Sequence, residues 1–350
     1  MLIKQNNPSL IENGINPIGL APNLLIGAAN AFLNGLVPNF VLPPNPPIER
    51  HPYLNFNNNQ DNSKYIIGTF PPITYLADNM NLGGGHVFYP NGVEVNAPNI
   101  PFFHGNRESL WNILFTLTGT IAVYNALPNR MDKVAYIEDW LQLNGITYSD
   151  IISCCSRKAY DASDNGLMNI LPNYDLVQKI YSDENEPVIL FNTSPVFGAS
   201  GLSLNGNGAI RFNSTTSFGL FLEAYRLIGA KIYIDWVNPN PNGWVLLSPA
   251  NEALILANTS YKCIVKIKIE FQENKEFIGL HFKKGEKEVC CVFGPSPAGQ
   301  AALQLGGNLI YQQAIILNGP LNHQAFCGYM MNHFLNFNAG GSAALAGLNQ

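Results

Sequence analysis

Four short apolar runs constrain this chain more than any other feature. They are Tyr65–Phe70, Ile146–Cys155, Val188–Phe191 and Val289–Phe293. Each reads as a strand, and the first is apolar enough to be buried; the second mixes Thr147, Ser149, Asp150 and Ser153 with its apolar residues. The first stops at Pro71-Pro72 and the last at Gly294-Pro295, both strong breakers. Between them Leu110–Leu117, Val134–Leu143 and Tyr174–Tyr181 carry helical spacing. Strands of this kind alternating with helices predict an α/β domain, with a central parallel sheet between two helical layers.

The rest of the chain frames that body. Residues 1–48 read as an N-terminal arm, cut by Pro8, Pro17, Pro22, Pro38, Pro43, Pro44, Pro46 and Pro47. Its apolar pieces, with a short helix expected near Leu25–Leu36, are too few for a core and too many for a solvated tail. It is expected to pack on its own domain or on a neighbouring subunit. Residues 338–350, rich in Ala and Gly, read as a second arm. The domain proper is expected over 49–337, with a long insertion at about 200–285 between the third and fourth strands. Within it Tyr261–Phe271 and Phe277–Phe282 alternate and predict a hairpin. Lys262, Lys266 and Lys268 share one face of it, either as edge-protecting lysines or as a DNA-binding stripe.

Composition narrows the function classes. The net charge is −5 and charged residues are 12% of the chain. A dedicated binder of phosphate backbone shows a basic surplus, which is missing here. Asparagine takes the place of charge, with 45 residues. A surface rich in uncharged polar groups loses little in desolvation when partners cover it. An AT-rich coding sequence would raise Asn, Ile, Tyr and Phe equally well. Six cysteines include the vicinal pairs Cys154-Cys155 and Cys290-Cys291, with no CxxC and no zinc spacing. Buried thiols, no metal and no cofactor are the expectation. The apolar stretch Ile18–Leu42 is interrupted by Pro22, Asn23, Asn30, Asn34 and Pro38, which fits neither a signal peptide nor a membrane span. Gly83-Gly84-Gly85 lacks the following helix and lysine of a phosphate loop.

Four separated motifs carry a resemblance. Tyr65-Ile-Ile-Gly-Thr-Phe-Pro-Pro72 ends a strand with Gly and Pro. Phe102-Phe-His-Gly-Asn-Arg-Glu-Ser-Leu-Trp111 follows it. Gly145-Ile-Thr-Tyr-Ser-Asp-Ile-Ile-Ser-Cys-Cys-Ser-Arg157 comes next, with Ala162-Ser-Asp164 downstream. Phe293-Gly-Pro-Ser-Pro-Ala298 closes the series. In this order they resemble the uracil-DNA glycosylase superfamily, closest to its mismatch-specific and hypoxanthine-type branches. The resemblance covers about residues 50–335 and leaves the arms and the insertion outside. It implies a three-layer α/β/α fold.

It also implies a site. A flipped base would be stacked and read on its edge, and a carboxylate or amide would position water and stabilise an oxocarbenium-like sugar. A short Ser/Pro loop would wedge the duplex. Carried over residue by residue, Glu108 takes the catalytic position, where the hypoxanthine-type branch has Asn. Phe70 stands where uracil-removing branches have Asp or Asn; it can stack on a base but cannot orient water. Gly68, Thr69, Phe70, His104 and Asp150 would line the base pocket. Arg107, Arg157, Ser296 and Pro297 would meet DNA. Each has a plainer reading: Glu108 as a solvated surface charge, Asp150 with Arg157 or Arg107 as a buried pair, Trp111 as core, His86 and His104 as structural, Ser296 as part of a rigid turn.

Three functions compete. One is a structural subunit of a large assembly, a phage virion component such as a ring or connector protein, built on a catalytically degenerate glycosylase fold. Its arms would bind copies of itself and neighbouring subunits, and it would be found in the virion, not in a membrane. The second is a cytoplasmic DNA glycosylase acting on uracil, hypoxanthine or another altered base. The third is a non-catalytic DNA reader.

Overall fold

The computed structural model describes residues 49–51, 63–69, 86–88, 94–96, 100, 108–157, 167–192, 202–204, 210–212, 216–236, 243–259, 264–294, 311, 314–316, 319 and 321–337. In chain order the strands and helices are β1 (Glu49–Arg50), β2 (Lys64–Gly68), β3 (His86–Phe88), β4 (Glu94–Asn96), α1 (Ser109–Leu117), α2 (Ile121–Asn125), α3 (Arg130–Leu143), β5 (Ile146–Asp150), β6 (Ile152–Arg157) and β7 (Leu167–Pro172). They continue with α4 (Tyr174–Ser182), β8 (Val188–Asn192), β9 (Leu202–Leu204), β10 (Ile210–Phe212), α5 (Ser217–Leu227), β11 (Lys231–Asp235), β12 (Val245–Leu246) and α6 (Glu252–Thr259). The last are β13 (Ile264–Phe271), β14 (Lys275–Phe277), β15 (Leu280–Phe282), β16 (Gly285–Gly294) and α7 (His323–Asn336). The predicted helix near Leu25–Leu36 and both arms lie outside the described residues.

The architecture is α/β, with a central mixed sheet of seven strands in the order β12-β11-β13-β16-β8-β2-β5. The parallel half follows the expected strands, with β2 paired to β5 and β8, and β8 to β16, all in parallel. The single strand expected over Ile146–Cys155 is corrected, because it breaks after Asp150 and Ile152–Cys155 belongs to β6 in a separate three-stranded sheet. Side chains alternate between two cores. Tyr65, Ile67, Ile189, Phe191, Val289, Cys291 and Phe293 face one core, which holds α4 and α5. Ile66, Val188, Leu190, Cys290 and Val292 face the other, under α1, α2, α3 and α7. A strand with helices on both sides has no solvent face, which is why these runs read as continuous rather than alternating.

The expected all-parallel sheet is corrected by its other half. β13 runs antiparallel to β16, β11 antiparallel to β13, and β12 antiparallel to β11. Much of the stretch read as an insertion therefore extends the main sheet. The hairpin expectation is corrected too. Ile264–Phe271 pairs with β11 and β16, while Phe277 pairs with Leu280 in the small β14–β15 ribbon. Strict alternation fixes which face a residue takes, not which strand it joins.

Caps set the helix starts around the sheet. Asn129 accepts a hydrogen bond from the Asp132 amide at 2.9 Å to open α3. Thr216 does the same for α5 from the Gly219 amide at 3.1 Å. After α3, Gly145 adopts φ 62°, a left-handed turn that frees the chain to enter β5. At the other end of β2, the Lys64 ammonium donates to the Leu335 carbonyl of α7. The five described cysteines, Cys154, Cys155, Cys290, Cys291 and Cys327, are buried, and burial pushes Cys327 up to about 12. No helix among the described residues is long and apolar enough to cross a membrane.

Candidate functional site

The connections of the parallel half mark the end of the sheet where a site would lie. Its strands lie in the sheet as second, first, third and fourth in chain order, so the chain leaves β2 toward one side and later crosses to the other. In open α/β sheets ligands bind outside the carboxyl ends where the order reverses. Here that is the end of β2 and β8. The register brings one row of residues to this end: Gly68 opposite Asp150, Ile67 opposite Phe191, and Asn192 opposite Gly294.

Three of the predicted site residues meet there. The Gly68 carbonyl accepts from the Ile151 amide at 3.1 Å, and the Thr69 carbonyl from the Ile152 amide at 3.2 Å. Both keep the end of β2 laced to the bend after Asp150. Phe70, His104, Arg107, Ser296 and Pro297 lie outside the described residues. His86 lies in β3. Arg157 ends β6, five residues beyond Ile152, on the order of 15 Å along the strand.

Asp150 has a partner outside the motifs. His51 Nε2 lies 2.7 Å from Asp150 Oδ2, with the imidazole fully buried and the carboxylate 6% exposed. A carboxylate at that distance accepts the Nε2 proton. The His51 amide donates to the Ser153 carbonyl at 2.9 Å. Asn173 braces the same bend: its Nδ2 donates to the Asp150 carbonyl at 3.2 Å and to Ser149 Oγ at 3.3 Å, while its Oδ1 caps α4 through the Leu176 amide. Sequence reasoning missed His51 because 99 positions separate it from Asp150. The available signal was a histidine followed by Pro52 where the proline-rich arm ends.

Glu108 is not a solvated surface charge. It is 6% exposed and precedes α1 with φ 50°. A non-glycine residue in this region is strained by about 1–3 kcal/mol and must be held by its surroundings. Lys133 of α3 holds it, donating to Oε2 at 2.9 Å and Oε1 at 3.2 Å. The same ammonium stands 4.9 Å from the centre of the Tyr124 ring. The Tyr124 hydroxyl is buried beside the carboxylate without good hydrogen-bond geometry. Burial first, then the Glu108 carboxylate, hold it well above the ordinary phenol range. Because Glu108 turns to Lys133, no side chain caps α1. Trp111 is fully buried and packs on Tyr148 of β5 at 5.4 Å.

Beneath the row lies an aromatic floor. Phe191 and Phe293 stack at 5.9 Å, and Phe218 at the start of α5 meets them at 5.2 and 4.9 Å. All three are buried, so they support this end of the sheet rather than offer a stacking surface. The predicted lysine stripe resolves differently from either expectation. β13 is an interior strand, and its lysines are matched: Lys266 with Glu186 at 3.0 Å, Lys268 with Glu286 at 3.3 Å. Lys262 lies outside the described residues.

No protein-family model, curated protein or solved structure matches this chain. Its class comes from its own geometry: an α/β domain whose central mixed sheet is flanked by helices.

Proposed function

We propose that the chain is a structural subunit of a large assembly, a phage virion component such as a ring or connector protein, on a catalytically silent glycosylase-like fold. One observation carries this reading: both carboxylates that the motifs would assign to the site are spent on internal partners. Glu108 is buried against Lys133, and Asp150 against His51. A carboxylate that positions water must reach it. Freeing either group would strand a buried charge, at a cost of about 3–5 kcal/mol. The acidic, charge-poor and asparagine-rich composition supports the same reading.

The test pairs two measurements on the full chain. One follows base release from oligonucleotides holding uracil, hypoxanthine or mismatched thymine, in single and double strands, with Glu108→Gln alongside. The other is sedimentation. The expectation is no release by folded protein and a mass well above the 38.4 kDa of one chain. Release that Glu108→Gln abolishes, from a chain sedimenting as a monomer, would overturn the proposal.

That outcome belongs to a second reading, a DNA glycosylase. The placement of the strand-end motifs favours it: the segments after Thr69, Asp150 and Gly294 all leave the carboxyl end of the parallel strands, where such a site would form.

A further inference from the structure

We infer that residues 49–51 form an exchangeable plug, and that the edge of β6 together with Asp150 forms its receptor, so that a second copy of this chain can supply the plug. The inference rests on the assembly reading and names the contact through which copies would hold one another. The plug is compact. Glu49 pairs with Cys155 and Arg50 with Cys154 along the antiparallel β6 edge. His51 then adds its amide to the Ser153 carbonyl and its buried ring to Asp150. Pro52 favours the extended backbone that this pairing uses at His51.

Three features make the seat exchangeable. First, the plug joins a separate three-stranded sheet, in the order β1-β6-β7, not the main one, so leaving it costs the main sheet no strand. Second, the receptor is made about 100 residues after the plug, so the plug emerges before any seat in its own chain exists. Third, eleven residues, 52–62, lie between the plug and Ser63, which precedes β2. Extended, they span about 36–40 Å, enough to reach an abutting copy. A plug from another copy would make the same contacts as the chain's own, so exchange is a low-cost route to an oligomer. The 48 residues preceding the plug would be carried onto the neighbour with it.

The register supplies the test. Directly opposed positions of an antiparallel pair bring Cβ atoms to about 4.5–5.5 Å, close to disulfide range. One full-length copy carries Glu49→Cys and Cys155→Ala; a second, differently tagged, is native at both positions. They are co-expressed, oxidised and run without reductant. The expected result is a mixed crosslinked species that vanishes when the second copy also carries Cys155→Ala, and that falls at least fivefold when the first copy carries His51→Ala. An unchanged yield in that variant would remove His51 as the anchor. Glu49→Cys alone, closing its disulfide only within one chain, would overturn the exchange. If that chain still sediments as an oligomer, the assembly reading survives without it; if it sediments as a monomer, both fall. No disulfide in either arrangement would deny that the plug seats on β6 and would overturn the inference as well.

Discussion

The two halves of the main sheet solve the same problem differently. In the parallel half, β5, β2, β8 and the second half of β16 are packed between helices on both faces. Thr147, Ser149 and Asp150 of β5 are all at most 4% exposed, and Asp150 is matched by His51. In the antiparallel half one face packs on the core through Val265, Ile267 and Ile269, and the other carries charge. Across β11, β13 and β16 the rows there run Lys231-Glu270-Glu286, Tyr233-Lys268-Glu288 and Asp235-Lys266-Cys290. Lys231 faces Glu270, Lys268 faces Glu288 and Asp235 faces Lys266, as a solvated antiparallel face prefers, while Glu270 faces the like charge of Glu286. A charge in the first half is structural and costly to remove, whereas in the second it is one of several and replaceable.

Lys133→Met puts that contrast to its hardest test. The substitution leaves Glu108 buried without its cation, so the fold should lose about 3–5 kcal/mol. Denaturant unfolding should show this as a lower midpoint at constant slope. Glu108→Gln in the Lys133→Met background should restore most of it, because the stranded charge is then gone. A loss below about 1 kcal/mol would show Glu108 reaching solvent, and the comparison would weaken at its strongest point.

Glu138 of α3 sharpens the same comparison through pH. Its Oε1 is buried without a hydrogen-bond partner, and burial, then the neighbouring Asp139, raise its pKa from 4.5 to about 7. Between those values the folded protein keeps a proton that the unfolded chain has lost. Stability should therefore fall as pH rises through that window and level off above it. The group is partly exposed, and screening by solvent trims the effect to about 1 kcal/mol. Glu138→Gln should flatten the profile between pH 4.5 and 7. A profile identical to that of the unchanged chain would mean the carboxyl is hydrated.

The same division governs what the sequence discloses. The strands β2, β8 and β16 were legible because double burial writes them as apolar runs, and α1, α3 and α4 because one face of each must be apolar. α7 left a usable signal in Phe326, Cys327, Met330, Met331 and Phe334, which recur at helical spacing and are buried in one core. The antiparallel half was misjoined because period-two alternation is the same for any partner. The candidate site was legible only as a place. Gly68, Thr69 and Asp150 converge as the motifs imply, but local spacing cannot show that Glu108 faces a lysine 25 residues on, or that Asp150 faces a histidine 99 residues back.

Lys268→Met is the counterpart of Lys133→Met, with the same residue types exchanged in the open half. Lys268 lies 3.3 Å from Glu286, whose side chain is 55% exposed, and its ammonium stands 5.0 Å from the Tyr233 ring and 5.4 Å from the Trp244 ring. Methionine keeps an apolar stem against those rings, so the loss is the charge alone. Glu286 rehydrates when its partner leaves, whereas Glu108 has no water to return to. The cost should stay below about 1 kcal/mol, and much of it should vanish at molar salt, where the screening length is about 3 Å. The Lys133→Met loss should persist in the same salt, because ions do not enter the space between Glu108 and α3. Equal losses for the two lysines, or equal sensitivity to salt, would mean that helix cover and not burial of the individual pair sets the cost, and the contrast between the halves would need another cause.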